Sequence, residues 1–463
     1  MRRHAWLWGP ALAAFIVGLV GIGVSATDGG RAAVDEPQYL LSALSLFEDG
    51  DLDISDELAD RRWRDYHQAD LPVQTEPMAD GREVSPHDPL LPLLIAVPTG
   101  LFGWVGAKVA MSLLAAGCAM LLAWTAARRF RVPPAVAGTG SALAFASPPL
   151  GVYAQQVYPE LPAALATLAA VAVLTAPRLR RQHAGWVLVA IIALPWLGIK
   201  YIPVAVALTA LLAVLLRRRG GWVPVLQASI VLALAGVAYL AVHQVVWGGW
   251  TVYASGDHFQ AAGELSVVGV SPDYVGRSLR LVGLLADRHY GLVPWQPAWL
   301  LLVPAAAALL VRRPRRDSLG WLALLAPLAA GWATATWLAL TAHGFWWPGR
   351  QVVVVLPLAA VAIMWLVTRP LPRLVTPALV LAATGVVGMV ALLWQGSRGR
   401  LEWVVDHTNA LAPAYQLLKP VTPDYSAEHF LVRHVAWALV LVGLAVTTVV
   451  ALRRRGMAPI DHR

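Results

Sequence analysis

The chain has 463 residues, of which 58% are hydrophobic and 14% are charged, and its mean hydropathy is +0.60. Soluble domains carry about 25% charged residues, so this composition excludes an ordinary water-soluble protein and indicates a polytopic membrane protein. The net charge of +9 does not indicate a nucleic-acid partner, because the basic residues form short Arg clusters beside apolar runs, a pattern typical of membrane orientation.

Apolar runs of about 20 residues predict an all-α transmembrane bundle rather than a β-barrel, whose strands alternate apolar and polar residues. About twelve spans are expected, at 5–26, 106–127, 135–150, 153–175, 186–201, 202–216, 222–246, 291–311, 319–341, 351–367, 374–394 and 435–452. The basic start of the first run is typical of a signal peptide, but retaining it as the first helix gives a consistent orientation. The segment 89–103 is short and holds three prolines, so we expect it to be interfacial or re-entrant. No internal repeat is visible, and 1–463 is treated as a single transmembrane domain.

Arg clusters predict which loops face the cytoplasm, because short Arg-rich loops stay inside. They lie at residues 2–3, 128–131, 178–181, 217–219, 312–316, 369–373 and 453–455. The outer face then carries three loops, at 27–88, 247–290 and 395–434. The first of these loops holds 16 Asp and Glu against 5 Arg, a net charge of −11. Its segment PQYLLSALSLF places Leu40, Leu44 and Phe47 on one helical face, which predicts a helix lying on the membrane surface.

Ionisable residues outside the Arg clusters recur where predicted spans end on the outer side. They are Asp35, Glu36, His87, Asp88, Glu160, Lys200 (with Tyr201 beside it), Asp287, Arg288, His289 and Arg350. Ionisable groups at membrane depth cost roughly 2.5–3.5 kcal/mol each on insertion scales, so they are candidate functional residues. Because they come from six places and carry both signs, we expect them to line one cleft at the outer leaflet.

Each of these residues also has a simpler interpretation. Asp35 or Glu36 could cap the helix that Pro37 begins, and Glu160 could be a first-turn acid after a proline. Lys200 could extend to the lipid interface, Arg288 and Arg350 could contact lipid headgroups, and His87 could be an ordinary loop histidine. Only the convergence of these residues in one place favours a functional site.

Two other features of the sequence argue against a metal centre. The run EDGDLDISDE resembles a calcium-binding loop loosely, but it lacks the glycine required at the sixth position and is interpreted as a solvated loop. The single cysteine, Cys118, excludes an internal disulfide and argues against a Cys-based metal site.

An outer-leaflet cleft with carboxylates and cations suits glycosyl transfer from a polyprenyl-phosphate sugar. Lys, Arg or protonated His would bind the lipid phosphate, and a carboxylate would take the proton of an acceptor hydroxyl. The cations would also stabilise the phosphate as it leaves the anomeric carbon. No metal or other cofactor is required for this chemistry, although an acidic pair could recruit a divalent ion.

The order of motifs resembles the GT-C superfamily of membrane glycosyltransferases, nearest to the protein O-mannosyltransferase and lipid A aminoarabinose transferase type. The residues that carry the resemblance are Asp35, Glu36, Pro37 and Tyr39, then HDPL at 87–90 and LFG at 101–103. VYPELPAA, around Glu160, matches the place of a second acidic residue. DRHYGLVPWQPAWLL and PGRQVVVVLPLAA resemble later elements of bacterial relatives.

The resemblance implies a polyprenyl-phosphate-linked donor, inversion at the anomeric carbon and an outward-facing active site. It assigns Asp35 as general base with Glu36 beside it, and Glu160 as the acid that positions acceptor or sugar. It places His87 at the donor phosphate, although Asp88 stands where a second proline is common. Charge and depth add Asp88, Lys200, Tyr201, Arg288, His289 and Arg350 as substrate-binding candidates.

The leading hypothesis is therefore a glycosyltransferase with a lipid or glycan acceptor, since no large C-terminal outer domain is visible for recognising a folded protein. The alternative is a transporter or flippase of lipid-linked sugars, which should place charges near the bilayer midplane. Frequent Arg and only three Lys indicate a high-GC bacterium, and hence its cytoplasmic (inner) membrane.

Overall fold

The computed structural model describes most of the chain. The described residues are 5–27, 29–71, 74–75, 77–178, 181–252, 273–311, 319–339, 343–404 and 406–454. The Arg clusters at 2–3 and 312–316, parts of those at 178–181 and 453–455, and residues 253–272 of the predicted second outer loop lie outside this set.

The described residues are almost entirely helical. The α-helices are α1 Ala5–Gly21, α2 Glu36–Glu48, α3 Ser55–Ala59, α4 Leu90–Arg129, α5 Pro134–Phe145, α6 Leu150–Tyr153, α7 Glu160–Leu174, α8 Arg181–Leu197, α9 Ile202–Gly220, α10 Trp222–Val246, α11 Tyr274–Arg277, α12 Arg280–Ala286, α13 Leu302–Val311, α14 Gly320–Ala333, α15 Leu356–Thr368, α16 Val375–Ser397, α17 Pro413–Leu418 and α18 Leu431–Arg454. Short 3₁₀ turns occupy Arg62–Asp65, Ile199–Tyr201, Pro297–Leu301, Arg350–Val355, Pro372–Leu374 and Asp406–Asn409, and Thr334–Leu338 is a π-helical turn. In this part of the chain the β-structure is limited to two isolated bridges, Thr27 with Gly30 and Asp53 with Val84.

Among the described residues, seven helices are long and apolar enough to cross a membrane, which agrees with an all-α polytopic membrane protein. They are Leu90–Arg129, Ile199–Gly220, Trp222–Val246, Gly320–Leu338, Arg350–Thr368, Pro372–Ser397 and Leu431–Arg454. Four further apolar helices, Ala5–Gly21, Glu160–Leu174, Gln182–Leu197 and Pro297–Val311, have only 10–17 residues. The expected number of twelve spans is therefore not confirmed.

The segment 89–103, expected to be interfacial or re-entrant, is helical from Leu90 and forms the first part of α4. The backbone leaves the helical conformation at Gly103, where φ is +62°, so α4 is two helices joined at a sharp break. A left-handed φ is accessible to glycine because it has no Cβ. The first part of α4 exposes Leu93, Val97 and Phe102, and the ring of Phe47 from α2 packs against its other side at Gly100.

The first loop contains the predicted helix, α2, but this helix is largely buried in the protein. Leu40 is 1% exposed, and Tyr39, Leu41 and Ser42 are also buried. Since α2 packs along α4, Leu40 contacts protein rather than the membrane surface that the amphipathic pattern predicted. Only Phe47, at the C-terminal end of α2, keeps an exposed apolar side chain.

Arg350–Thr368 is the most buried of the seven candidate spans. It packs against α5, α7, α13 and α14, so a side chain at its first residue is held by the core of the bundle. That first residue is Arg350.

Candidate active site

A cluster of charged side chains forms where α2, α7, the turn before α9 and the start of the Arg350–Val355 turn meet. Five of the predicted residues belong to it: Asp35, His87, Glu160, Lys200 and Arg350. The acids and the cations alternate across the cluster, so each carboxylate lies beside at least one cation.

Arg350 is the centre of this cluster. Its Nη2 donates to Asp35 Oδ2 at 2.7 Å, and its Nε donates to Glu160 Oε1 at 2.8 Å. The guanidinium also lies over the Tyr158 ring, 4.2 Å from the ring centroid. Arg350 is 7% exposed and Glu160 is 1% exposed. A planar, multidentate guanidinium can hold both carboxylates at once, which a lysine ammonium does less well.

Lys200 and His87 complete the cluster from the more open side. Lys200 Nζ donates to Glu160 Oε1 at 2.6 Å, and about a third of this lysine side chain remains exposed. His87 Nε2 lies 3.9 Å from Asp35 Oδ1, and its ring contacts Tyr39 edge-on at 4.5 Å. Lys200 is therefore the most exposed member of the cluster, and Glu160 is the most buried.

Two buried oxygens in this cluster have no hydrogen-bond partner among the described residues. They are Glu160 Oε2 and the Tyr201 hydroxyl. Tyr201 is 3% exposed, and Lys200 Nζ lies 5.4 Å from its ring centroid. Buried polar atoms are normally hydrogen-bonded, so these two are free to bind a polar ligand or water.

The local backbone explains how Asp35 reaches Arg350. Asp35 occupies the N-cap position of α2, but its side chain makes no capping hydrogen bond and points to Arg350 instead. Val34 has φ +58°, an unfavourable conformation for a β-branched residue. Its carbonyl oxygen accepts a hydrogen bond from Gln74 Nε2 at 3.2 Å, which helps to hold this turn.

The pKa of Asp35 depends on two opposing effects. Burial disfavours its ionised form, but the Arg350 charge and the neighbouring His87 outweigh burial and hold the pKa well below its ordinary value of 3.8. Asp35 is therefore ionised in the resting protein.

Glu36 lies next to the cluster but makes a different set of contacts. It is fully buried, and its carboxylate accepts hydrogen bonds from the backbone N–H groups of Ala33 at 3.1 Å and Val157 at 2.8 Å. Lys108 Nζ lies 3.4 Å from Glu36 Oε1 and donates to Gln155. These contacts fasten the loop before α2 to the loop before α7, so Glu36 positions Asp35.

Asp88 also lies outside the cluster and supports it indirectly. It is buried, and it accepts from the Ile199 backbone N–H at 3.2 Å and the Tyr239 hydroxyl at 2.9 Å. His243 Nε2 lies 3.2 Å from the same carboxylate. Asp88 therefore holds the turn that carries Lys200 against α10.

Arg288 and His289 belong to a second polar cluster. Arg288 Nη1 donates to Asp424 Oδ2 at 2.9 Å, and His289 lies 3.6 Å from the same oxygen. Burial lowers the pKa of His289 below its usual value despite the opposing effect of Asp424, so its ring is less charged at neutral pH than an exposed histidine. The neighbouring Asp287 pairs with His343 at 2.7 Å. None of the ion pairs found in the described part of the chain joins this cluster to Arg350.

Several residues of these clusters were not singled out from the sequence. They are Lys108, Tyr239, His243, His343 and Asp424. Lys108 and His243 lie inside predicted spans, where an ionisable residue is itself a signal of function or pairing. That signal was available for both residues, whereas nothing in the sequence distinguishes Tyr239 from the other aromatic residues.

Comparison with known proteins gives similarity at the level of structure. No family model matches the chain, and no curated protein matches its sequence. The fold is similar to that of ArnT from Cupriavidus metallidurans bound to undecaprenyl phosphate, with TM-score 0.55 and 18% identity over 97% of this chain and 73% of that one. The apo state of the same protein gives TM-score 0.52 and 17% identity over 98% of this chain and 73% of that one. The chain therefore shares the fold of ArnT. The resemblance read from the sequence motifs is thus confirmed for the architecture.

Proposed function

We propose that the protein is a glycosyltransferase that moves a sugar from a polyprenyl-phosphate donor to a lipid or glycan acceptor, with inversion at the anomeric carbon. The observation that carries the proposal is the bridge from Arg350 to Asp35 and Glu160, with Lys200 and His87 beside it. The similar fold of ArnT, a lipid A aminoarabinose transferase solved with undecaprenyl phosphate, supports the choice of lipid carrier and the kind of acceptor.

The cations of the cluster would bind the donor phosphate. Lys200 is partly exposed, and it contacts the same Glu160 oxygen as the buried Arg350, so an anion that binds Lys200 also lies near the charge of Arg350. Phosphate is a strong hydrogen-bond acceptor for guanidinium and ammonium groups. It would compete with Asp35 and Glu160 for Arg350, and the unpartnered Tyr201 hydroxyl can donate a further hydrogen bond.

Asp35 would then act as the general base. In the resting protein, the Arg350 charge holds the pKa of Asp35 low, which makes it a weak base. When phosphate draws Arg350 away, this stabilisation decreases, the pKa of Asp35 rises, and the carboxylate becomes better suited to accept a proton. Donor binding thereby makes Asp35 a stronger base.

The transfer step follows from these positions. The acceptor hydroxyl gives its proton to Asp35 while its oxygen forms a bond to the anomeric carbon. The bond from that carbon to the phosphate oxygen breaks on the opposite face, and polyprenyl phosphate leaves with the electron pair. Arg350 and Lys200 stabilise the added negative charge, and His87 lies beside them. Glu160 orients Arg350 and Lys200, and its free Oε2 can accept a hydrogen bond from the sugar or acceptor.

The cluster is proposed to face outward from a bacterial cytoplasmic membrane. Asp35 and His87 belong to the predicted first outer loop, 27–88, whose net charge is −11 (16 acids, 5 arginines), whereas Arg clusters mark the opposite loops. No metal is needed in this scheme, because the side-chain cations supply the charge. Arg288 and His289 remain candidates for the acceptor side of the site.

Reconstitution with a panel of undecaprenyl-phosphate sugars tests the proposal. Purified protein in nanodiscs, mixed with each donor and a membrane-lipid extract as acceptor, should release undecaprenyl phosphate that mass spectrometry detects. Asp35→Asn should bind donor but lower the transfer rate by about 10²–10⁴-fold, the usual contribution of a general base. Asp70→Asn, which removes an exposed acid of the same loop, should leave the rate unchanged.

Two results would count against this assignment. Wild-type turnover by Asp35→Asn would exclude Asp35 as the base. Translocation of the donor with its sugar–phosphate bond intact would instead favour the transporter or flippase alternative.

A further inference from the structure

The acidic run EDGDLDISDE folds so that three of its carboxylates converge. Asp49 follows the last turn of α2, and Asp56 and Glu57 stand in the first turn of α3. One carboxylate oxygen from each of these three residues lies within 4.8 Å of the other two. The residues come from the ends of two helices rather than from a continuous loop, so the missing sixth-position glycine is not relevant to this arrangement.

Glu57 distinguishes this cluster from an ordinary acidic surface. It is only 2% exposed, and neither of its carboxylate oxygens has a hydrogen-bond donor among the described residues. Asp49 and Asp56 are exposed, so the cluster has one buried wall and one side open to water. A buried carboxylate without a partner is costly, because burial removes its hydration without replacement.

The groups nearest along the chain are already committed to other contacts. The Arg62 guanidinium forms a two-point ion pair with Glu48, at 2.8 and 2.9 Å. Asp51 accepts from the Ser45 hydroxyl, and Asp53 accepts from the backbone N–H groups of Ser55 and Glu83. Among the described residues, Glu57 therefore has no salt-bridge partner.

We propose that Asp49, Asp56 and Glu57 bind a divalent cation that prefers oxygen ligands, with Ca²⁺ as the favoured ion. The donors are all carboxylate oxygens, which suit hard cations rather than zinc. Ca²⁺ accepts six to eight oxygens in irregular geometry, so three carboxylates and several waters from the open side can satisfy it. Mg²⁺ usually keeps most of its waters and uses one or two carboxylates.

The cation joins two elements that support the candidate active site. It connects the end of α2 to the start of α3, and the chain after α3 returns beneath the N-terminal end of α2. There the backbone N–H of Arg31 donates to the Tyr66 carbonyl at 2.7 Å, and the Tyr66 hydroxyl lies 3.5 Å from the Pro37 carbonyl. Binding therefore orders the segment on which the Asp35 turn rests.

Calorimetric titration of the full-length protein in nanodiscs, after treatment with a chelator, tests this site. Wild-type protein should bind one equivalent of Ca²⁺ at this site and gain thermal stability with added Ca²⁺. Glu57→Gln and Asp49→Asn should each weaken Ca²⁺ binding at least tenfold. Asp60→Asn, which removes an exposed acid at the end of α3, is the matched control and should bind as wild type does.

The experiment remains informative if one variant misfolds. Glu57→Gln keeps the side-chain size and removes a buried charge without a partner, so it should fold at least as well as calcium-free wild-type protein. Unchanged Ca²⁺ affinity in folded Glu57→Gln, or no binding by the wild type at millimolar Ca²⁺, would overturn the proposal. Equal affinity for Mg²⁺ would overturn the assignment to calcium.

Discussion

In the proposed mechanism, Arg350 keeps the site inactive until the donor binds. Its guanidinium is hydrogen-bonded to the carboxylates of Asp35 and Glu160, so the proposed base and the main cation neutralise each other in the resting protein. Removing one member of a buried ion pair leaves the other charge uncompensated, which is more damaging than removing an exposed pair. The proposed donor phosphate would keep Arg350 paired with an anion while it displaces Asp35.

The lowered pKa of Asp35 predicts a pH-dependent contribution to stability. The folded-state pKa lies below the ordinary value of 3.8, so the stabilisation is present above pH 3.8 and is lost as the pH falls below it. Asp35→Asn leaves Arg350 with one carboxylate and should destabilise the protein by about 1–3 kcal/mol at neutral pH. Thermal unfolding in nanodiscs between about pH 3 and pH 7 should show that the difference in stability between the wild type and Asp35→Asn decreases as the pH falls.

Asp70→Asn serves as the reference in this series, because Asp70 is exposed. Its melting temperature should follow that of the wild type at every pH. If the melting temperature of Asp35→Asn lay below that of the wild type by the same amount at every pH, the ion pair with Arg350 would not determine how much Asp35 contributes to stability.

At the scale of elements, the cluster is built from the starts of helices. Asp35 precedes α2, Glu160 is the first residue of α7, and Lys200 lies in the 3₁₀ turn before α9. Each of these helices has a proline at or just before its first turn, at Pro37, Pro159 and Pro203, which favours a helix start. The positively polarised helix starts face the cluster, an arrangement that also suits an incoming anion.

Gly349 orients the turn that presents Arg350. Its φ is +82°, and a Cβ atom there would lie 2.7 Å from Leu292 Cδ2 and 3.1 Å from Pro149 Cγ. We therefore expect Gly349→Ala to pay about 1–2 kcal/mol for the left-handed backbone and a further 1–3 kcal/mol, roughly, for crowding. Displacement of Arg350 should lower the transfer rate more than tenfold in the undecaprenyl phosphate release assay.

Gly399→Ala separates the two contributions. Gly399 also has a left-handed backbone, with φ +63°, but a Cβ atom there meets open space. This variant should lose only the stability that corresponds to the left-handed backbone, and it should keep the wild-type transfer rate. Equal loss of activity in both variants would show that the contacts of Gly349 with Leu292 and Pro149 are unimportant.

The predicted elements agree best with the structure where an apolar run is uninterrupted. The span predicted at 222–246 is the helix Trp222–Val246, and the span predicted at 374–394 lies within Pro372–Ser397. Agreement is poorer near Gly103 and around residues 145–160, where glycine, proline and polar residues divide the chain into shorter helices. Hydropathy predicts a long apolar helix, but it does not specify where the backbone breaks.

At the scale of the whole molecule, the orientation in the membrane decides whether the cluster meets an outward-facing donor. The only cysteine in the sequence, Cys118, is fully buried, so single-cysteine labelling needs no prior removal of native cysteines. Asp60→Cys in the first loop should react with a membrane-impermeant maleimide in intact cells. Arg454→Cys, at the end of α18, should react only after the membrane is permeabilised.

Unsubstituted protein is the control for this experiment and should remain unlabelled in both conditions. The reverse pattern, with Arg454→Cys labelled from outside and Asp60→Cys protected, would place the cluster on the cytoplasmic side. The Arg-rich loops would then not determine the topology of this protein.

The sequence by itself determined the class of the protein, most of the long helices and the candidates for the site. Apolar runs, Arg-rich loops and acids beside prolines are local features, and the bilayer restricts such a chain to helices. The tertiary structure decided which candidates meet. It joined Asp35 and Glu160 through Arg350, 315 and 190 residues away along the chain, paired Glu36 with Lys108, and placed Arg288 and His289 with Asp424 instead. Ion pairing depends on distances of a few ångströms between residues far apart in sequence, and the packing of the helices sets these distances.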